Sequence, residues 1–581
     1  MTSFGVSWRN RAKGAAVLLA AVLCAGAAGA ATEYAPPGRT SAEDTSPLGA
    51  YLAARHAQQL HDYGAAALYI GEALKADPGN NDLVRRAFLL RLGGGDITQA
   101  LPLATRIADL DRRSGMADLV LVLQAFKAGR YDEALTRAQS LPKEGVERLA
   151  APILSAWAEI GQNKPSAAMG LVSNPKAPGS IPELTIFHAA LIADRADRID
   201  DAVKNYDKLT NAASRMTWRS VELAGNFFER HQRDAVARRL YDKLRAEPEN
   251  GAVVDAAMAR LDSGTIPKRL IVTPQDGAAE AMFDLASILN ARDTFDLALI
   301  HAHLALYLKP DFPIAQLLLA ELEEQLGHNE KALALYRAID RTSPLSWSAR
   351  LREAATLDQI GRTDEAVALL REMAGERPRD RQPAIELGDI LRSHDRFGEA
   401  VIAYDDALAR IGKNGTRDWR LYYSRGIALE RSHQWPRAEA DFRQALALEP
   451  EQPLVLNYLG YSWIDQGSHL DEGLKMVERA VALRPTDGYI VDSLGWAYFR
   501  LGDYGKAIEK LERAIEMVPE DPTINDHLGD AYWRGGRRLE ARFQWNRALQ
   551  FKPDQGEIQK IESKLEHGLG APQTATQTKG G

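Results

Sequence analysis

Twelve histidines are scattered along the chain without the spacing that sets two metal ligands on one helix face. His301 and His303 are two apart and point away from each other on a helix, which argues against chelation. Cys24 is the only cysteine, so disulfides, a thiolate nucleophile and Cys-ligated zinc are excluded beyond it. No phosphate-cradling glycine loop, nucleophile elbow or zinc-protease signature occurs, and carboxylates are too evenly spread for any pair to be named as acid and base. One spacing does stand out. Over residues 489 to 500, Tyr489, Asp492, Trp496 and Arg500 share one helical face while Leu494 and Tyr498 turn to the other. Rings beside fixed charges suit a peptide-holding surface, because aromatic rings give contact area at low entropy cost and charges bind backbone or termini. Plain packing of Trp496 on a neighbouring helix would use the same residues.

That face needs a scaffold, and the scaffold is periodic. The segments LHDYGAAALYIGEALKADPGN (60 to 80), FDLALIHAHLALYLKPD (295 to 311), WPRAEADFRQALALEPE (435 to 451), YGKAIEKLERAIEMVPE (504 to 520) and LEARFQWNRALQFKPD (539 to 554) are variants of one pattern. Pro310, Pro344 and Pro378 are 34 apart, and Pro450, Pro485, Pro519 and Pro553 follow at 35, 34 and 34. Each unit has two apolar-periodic runs joined by a turn such as Leu501-Gly502-Asp503 or Gly535-Gly536, which predicts an antiparallel helix pair. Gly495 and Ala507 let the two backbones approach, and Pro519 stops the second helix because it cannot continue the hydrogen-bond ladder. One pair cannot cover its own apolar faces, so neighbours must stack.

With Leu494-Gly495 before Tyr498 and Leu528-Gly529 before Tyr532, the chain resembles the tetratricopeptide repeat (TPR) family over most of its length. The resemblance implies an all-α fold, a TPR α-solenoid: a right-handed superhelix of antiparallel helix pairs, roughly thirteen units long. It also implies that the first helix of each pair lines a concave side. Shifting by one repeat then gives three columns: Asn457, Asp492, Asp526; Tyr461, Trp496, Asp530; and Asp465, Arg500, Arg534. With Tyr489 these ten residues form the candidate partner-binding groove, although Asp530 and Arg534 also read as an ordinary i, i+4 pair.

The repeats are ragged upstream. DYGAAALYIGEAL, GRYDEALTRAQ and RIDDAVKNYDKL are clear second helices, whereas 81 to 115 and 142 to 180 fit loosely. The expected organisation is divergent repeats over 47–261, a joint at 262–278 carrying Pro267 and Pro274 between two superhelical halves, a regular array over 279–555, and a polar capping helix at 556–568. Residues 32–46 and 569–581 are expected to be disordered.

The N-terminus has the plan of a secretory signal: Arg9, Arg11 and Lys13, an apolar run from Gly14, and small residues at Ala28-Gly29-Ala30. Cleavage is expected after Ala30 or Ala31, placing the mature chain in the periplasm; a tethered form, or one lipidated at Cys24 despite Leu23 before it, is the alternative. A net charge of −7 with no basic stripe argues against nucleic acid as a partner.

Within the C-terminal third, LNYLGYSWID, YIVDSLGWAYFRLGDYGKAIEKLERAIEMVPEDP and INDHLGDAYWRGGRRLEARFQWNRAL are similar to the proteobacterial TPR adaptor lipoproteins of carboxyl-terminal processing proteases. DSLGW, HLGD, Trp533 and Trp545 carry this similarity over roughly residues 453 to 553. It implies a non-enzymatic scaffold of the cell envelope that brings a periplasmic protease and its substrates together. A scaffold for polysaccharide export or envelope assembly would use the same fold, and a repeat-built enzyme is the reading from a different class. Neither cofactor nor metal is expected, and partners are proteins or peptides.

Overall fold

A computed structural model of the chain describes residues 46–110, 114–173, 181–210, 217–245, 251–290, 294–411 and 418–570. The predicted export signal, the linker up to residue 45 and the tail from 571 lie outside the described residues. These fold into thirty α-helices with no strand among them, from α1 (Pro47–Gln59) to α30 (Gln555–His567).

Local chemistry sets the helix ends. Second helices stop at the register prolines: α27 (Tyr504–Met517) ends two residues before Pro519. Two residues past such a proline an aspartate opens the next helix. Asp521 accepts from the amides of Thr523 (2.8 Å) and Ile524 (3.0 Å) at the start of α28 (Pro522–Arg534), and Asp487 does the same for α26 (Gly488–Arg500). Between α26 and α27 the chain reverses at Gly502, whose φ of +82° is left-handed. The paired helices approach closely where Gly495 faces Leu511: a Cβ on the glycine would meet that leucine side chain at 2.5 Å.

The chain divides into two compact units, residues 1–366 and 367–581, with the boundary inside α19 (Thr363–Glu376). In the second unit five hairpins follow one another from α20 (Gln382–Ser393) to α29 (Arg538–Gln550), and α30 packs on α29. Trp463, Trp545, Tyr404 and Phe442 are fully buried at the hairpin cores.

The first unit begins with six hairpins, from α1 to α12 (Asp234–Arg245), then a single helix α13 (Gly251–Asp262). After α13 the backbone leaves helical geometry until Thr273, which forms a capping box with Asp276 and starts α14 (Pro274–Leu289). The break expected at 262–278 is therefore present, but it is no joint between halves. α14 lies against α5 (Gly115–Lys127), α7 (Glu147–Gly161) and α9 (Pro182–Arg195), and α15 (Phe295–Leu308) lies against α3 (Asn81–Gly93), α4 (Ile97–Leu110) and α5. This hairpin thus belongs to the unit before it, and the division falls about ninety residues later than expected, at 366/367. The reason is burial: Ala278, Ala279, Ala281, Met282 and Leu285 are wholly covered inside one apolar core built mostly from residues upstream of 262.

Candidate interaction surface

The four first helices α3, α5, α7 and α9 would line a groove in an open array, yet in the first unit the α14–α15 hairpin covers them. Its seat is specific. Gly277 sits so tightly on Trp157 that a Cβ would fall 2.2 Å from the indole. Glu280, with no exposure, accepts a bidentate pair from Arg219 at 2.8 and 2.5 Å, and Arg219 also reaches Glu222 at 2.7 Å. Trp157 Nε1 donates to His188 Nδ1 at 3.1 Å, while His188 Nε2 stands 3.1 Å from Asp284. Burial first, and then the Glu280 charge, push the Asp284 carboxyl up to about 6. Farther along, Tyr63 donates to Asp296 at 2.5 Å, and the Lys127 ammonium donates to the Tyr307 carbonyl at 2.6 Å.

On the second unit's first helices most of the ten sequence-selected residues are linked to residues of a neighbouring helix or of the chain's C-terminal end. The Asp465 carboxylate, at the end of α24 (Pro453–Asp465), accepts from Arg500 Nη1 at 2.5 Å, and Arg500 Nη2 donates to the Asp465 carbonyl at 2.8 Å. Asn457 is buried and donates to Ser493 at 3.2 Å. Asp492 is buried against His527 Nδ1 at 3.0 Å. Burial works against charge on that imidazole, but Asp492, with Asp526 and Asp530 behind it, outweighs burial and raises its pKa. The Trp496 ring stacks on the same imidazole, centroids 4.1 Å apart, and on Phe499 at 4.8 Å. Tyr461 is held deep among these groups: burial, then the charges of Asp465 and Asp492, raise its phenol pKa. Tyr489 is half-buried in the first turn of α26.

The last row meets the chain's own end. Lys564 of α30 places its ammonium between Asp526 (2.7 Å) and Asp530 (2.9 Å), and Trp545 Nε1 donates to Asp530 at 2.9 Å. Burial and then the Asp526 charge push the Asp530 carboxyl up to about 6, with Lys564 pulling the other way. Arg534 donates to the Gly570 carbonyl at 2.5 Å. Asp526, Asp530 and Arg534 are thus occupied by residues 564 to 570, and the structure brings the remaining seven together on α24 and α26.

Sequence reasoning missed His527 and Ser493 because it read straight down the columns, and missed Lys564, one repeat after Asp530, because the columns stopped at α28. For two of them the signal was diagonal: Asp492 to His527 spans 35 residues where the repeat is 34, and Asn457 to Ser493 spans 36 where it is 35, each one repeat plus one, whereas Asp465 and Arg500 stand one repeat apart in a single column. A carboxylate on one first helix is answered by a cation on the next, so neighbouring repeats are pinned and the rings of Tyr461 and Trp496 are held in fixed orientation. Among the described residues no group of three or more His, Cys, Asp or Glu is placed to hold a metal ion, and no helix is long and apolar enough to cross a membrane.

Comparison with known proteins agrees with the repeat pattern. The tetratricopeptide repeat family model matches residues 290–346, 317–381, 351–415, 423–488 and 493–557. A TPR repeat-containing protein of Pseudomonas aeruginosa is 30% identical over 193 residues, which is 32% of this chain and 31% of that protein. The tetratricopeptide repeat-containing protein trd-1 of Caenorhabditis elegans is 26% identical over 194 residues, 33% of this chain and 23% of that one. The match thus spans less than a third of the length of these relatives. Among solved structures, the APC/C hetero-tetramer Cut9-Hcn1 aligns over 90% of this chain and 97% of its own at 16% identity and a TM-score of 0.36. YrrB, described as a TPR protein with an unusual peptide-binding site, aligns over 33% of this chain and 97% of its own at 20% identity and a TM-score of 0.26.

Proposed function

Taking the tetratricopeptide repeats over residues 290–557 as the premise, we propose that this chain is a protein-binding scaffold whose working face lies on the first helices of the second unit. Repeats of this kind mediate protein–protein interaction, and one observation supports this choice of face. The first unit covers α3, α5, α7 and α9 with its own hairpin, whereas α24 and α26 keep the half-buried rings of Tyr461, Tyr489 and Trp496 beside the Asp465–Arg500 pair. Rings held rigid by ionic rungs lose little entropy when a peptide lies across them. Affinity is spread over several repeats, and the chain itself performs no reaction.

The finer reading places this scaffold in the periplasm, presenting substrates to a carboxyl-terminal processing protease. The basic-then-apolar N-terminus and the DSLGW and HLGD elements support it. A scaffold for polysaccharide export or envelope assembly is the second reading and uses the same face. The experiment is capture from envelope extracts by residues 32–581, comparing wild type with a Tyr461→Ala, Trp496→Ala double variant by mass spectrometry. A processing protease or its substrates, retained by wild type and lost by a variant of unchanged helicity, is the expected result. Export or assembly machinery in their place would discard the protease and keep the face; undiminished capture by the variant would move the binding site elsewhere.

A further inference from the structure

α29 buries Ala541, Trp545 and Ala548, and its opposite side carries Leu539 and Phe543, which are 67% and 63% exposed. Four residues apart, they share one face. The repeat itself marks them as a departure. One repeat earlier the same positions hold Gly505 and Glu509, and two repeats earlier Asp471 and Lys475. Elsewhere in the second unit these outward positions are small or polar except at Ile402, the 70% exposed counterpart of Phe543 on the helix Phe397–Ala409, where the counterpart of Leu539 is Gly398; hairpin packing therefore does not call for a leucine and a phenylalanine together here.

Two cations flank them. Arg538 and Arg542 are exposed and form no ion pair among the described residues; Arg538 lies over the Trp533 ring, 5.3 Å from its centroid. Their counterparts one repeat earlier, Tyr504 and Ile508, are not charged, and residues 571–581 contain no Asp or Glu that could neutralise the arginines. The outward side of α29 carries one carboxylate, Glu540, already paired with Arg537, and is otherwise apolar and cationic in a chain whose net charge is −7.

We propose that this face docks on an anionic lipid surface, with Phe543 and Leu539 entering the interfacial layer and Arg538 and Arg542 meeting lipid phosphates. Two apolar side chains and two guanidinium groups on the outward side of a single helix fall far short of the roughly 800 Å² per partner that a stable protein interface buries. A bilayer interface asks for neither a large area nor a preformed groove: shallow insertion of an aromatic and a leucine, together with basic residues, is how interfacial helices bind. The acidic remainder of the chain is repelled from such a surface, so this face is the one that approaches it. The inference is independent of the partner-binding face on α24 and α26.

The test is flotation of residues 32–581, which keep every described residue and lack the apolar run of the export signal, with vesicles of equimolar phosphatidylglycerol and phosphatidylcholine and with phosphatidylcholine alone. Binding to the anionic vesicles only, reversed by salt, is expected. Leu539→Ser with Phe543→Ser, and separately Arg538→Gln with Arg542→Gln, should each lower binding about tenfold, with thermal unfolding unchanged because all four side chains stand outside the core. No excess on anionic vesicles, or variants that bind as wild type does, overturns the proposal. So does self-association in sedimentation that the Leu539→Ser, Phe543→Ser variant abolishes without any lipid binding, since the face would then belong to a second copy of the chain.

Discussion

The two units treat the same helix face in opposite ways. In the first, α14 and α15 cover the first helices with an apolar core, a buried ion pair at Arg219–Glu280 and a buried polar contact at His188–Asp284. In the second, successive first helices reach one another through rungs such as Asp492–His527, and leave aromatic edges half-covered. The difference explains why the repeats are ragged upstream and regular downstream. A residue on α5, α7 or α9 must fit one particular stretch of α14, so its identity follows a unique partner. A residue on α24 or α26 meets the next copy of its own motif, and that condition repeats every 34 or 35 residues. Loss of regularity in a repeat array is thus a sign that its inner face has been filled.

The strongest way to break this comparison is to unseat the hairpin. Glu280→Ala would leave Arg219 buried with only Glu222, at an expected cost of about 3–5 kcal/mol. Denaturant unfolding followed by amide exchange should show the loss in α5, α7, α9, α14 and α15 and spare α24 to α29. A uniform loss across the chain would mean that the units do not behave separately.

Acid should sharpen the contrast, because the buried histidines of the two units shift in opposite directions. His301 of α15 donates through Nδ1 to the Leu297 carbonyl, and burial pulls its pKa down to about 4. Its contribution is complete above the unfolded value of about 6.5 and drains as pH falls toward 4, since the unfolded chain takes up the proton that the folded chain refuses. By pH 5 the cost is about 2 kcal/mol. His527 behaves conversely: its folded pKa is raised, so the Asp492 rung is at full strength below the unfolded value and fades as pH rises through the raised one. Moving from pH 7.5 to pH 5 should lower the amide protection factors, corrected for the intrinsic pH dependence of exchange, in α15 and raise them in α28. Parallel changes in both helices would contradict these assignments.

The smallest effect tests a single rung. Asp465 and Arg500 are partly exposed, so Arg500→Ala should cost less than about 1 kcal/mol and leave the melting of the second unit nearly unchanged. A larger loss would show that the rungs carry the array's stability and do more than orient its rings.

Much of this molecule was legible in one dimension. The prolines, the turn glycines and the aspartates that open α26 and α28 act within a few residues of themselves, so hairpin ends could be read directly. Among the candidate residues one cross-repeat pairing was legible: Asp465 and Arg500, set in one column by the repeat, do pair. His527 escaped because its partner Asp492 lies on a neighbouring repeat one step off the column, and Lys564 because it sits in the capping helix, one repeat beyond the last column residue, Asp530. The seat of the hairpin at 274–308 on the upstream helices escaped entirely, since nothing near Glu280 or Asp296 in the chain points to Arg219 or Tyr63.

What the amino-acid sequence determined by itself is therefore the all-helical repeat, its period and its element boundaries, because these follow from backbone propensities and from apolar spacing that recurs locally. Only the tertiary structure decided which inner faces remain available. That choice depends on partners 61 to 233 residues away, as in Arg219–Glu280 and Tyr63–Asp296, and such contacts are selected by shape and by the need to pair buried charge, which no local pattern records.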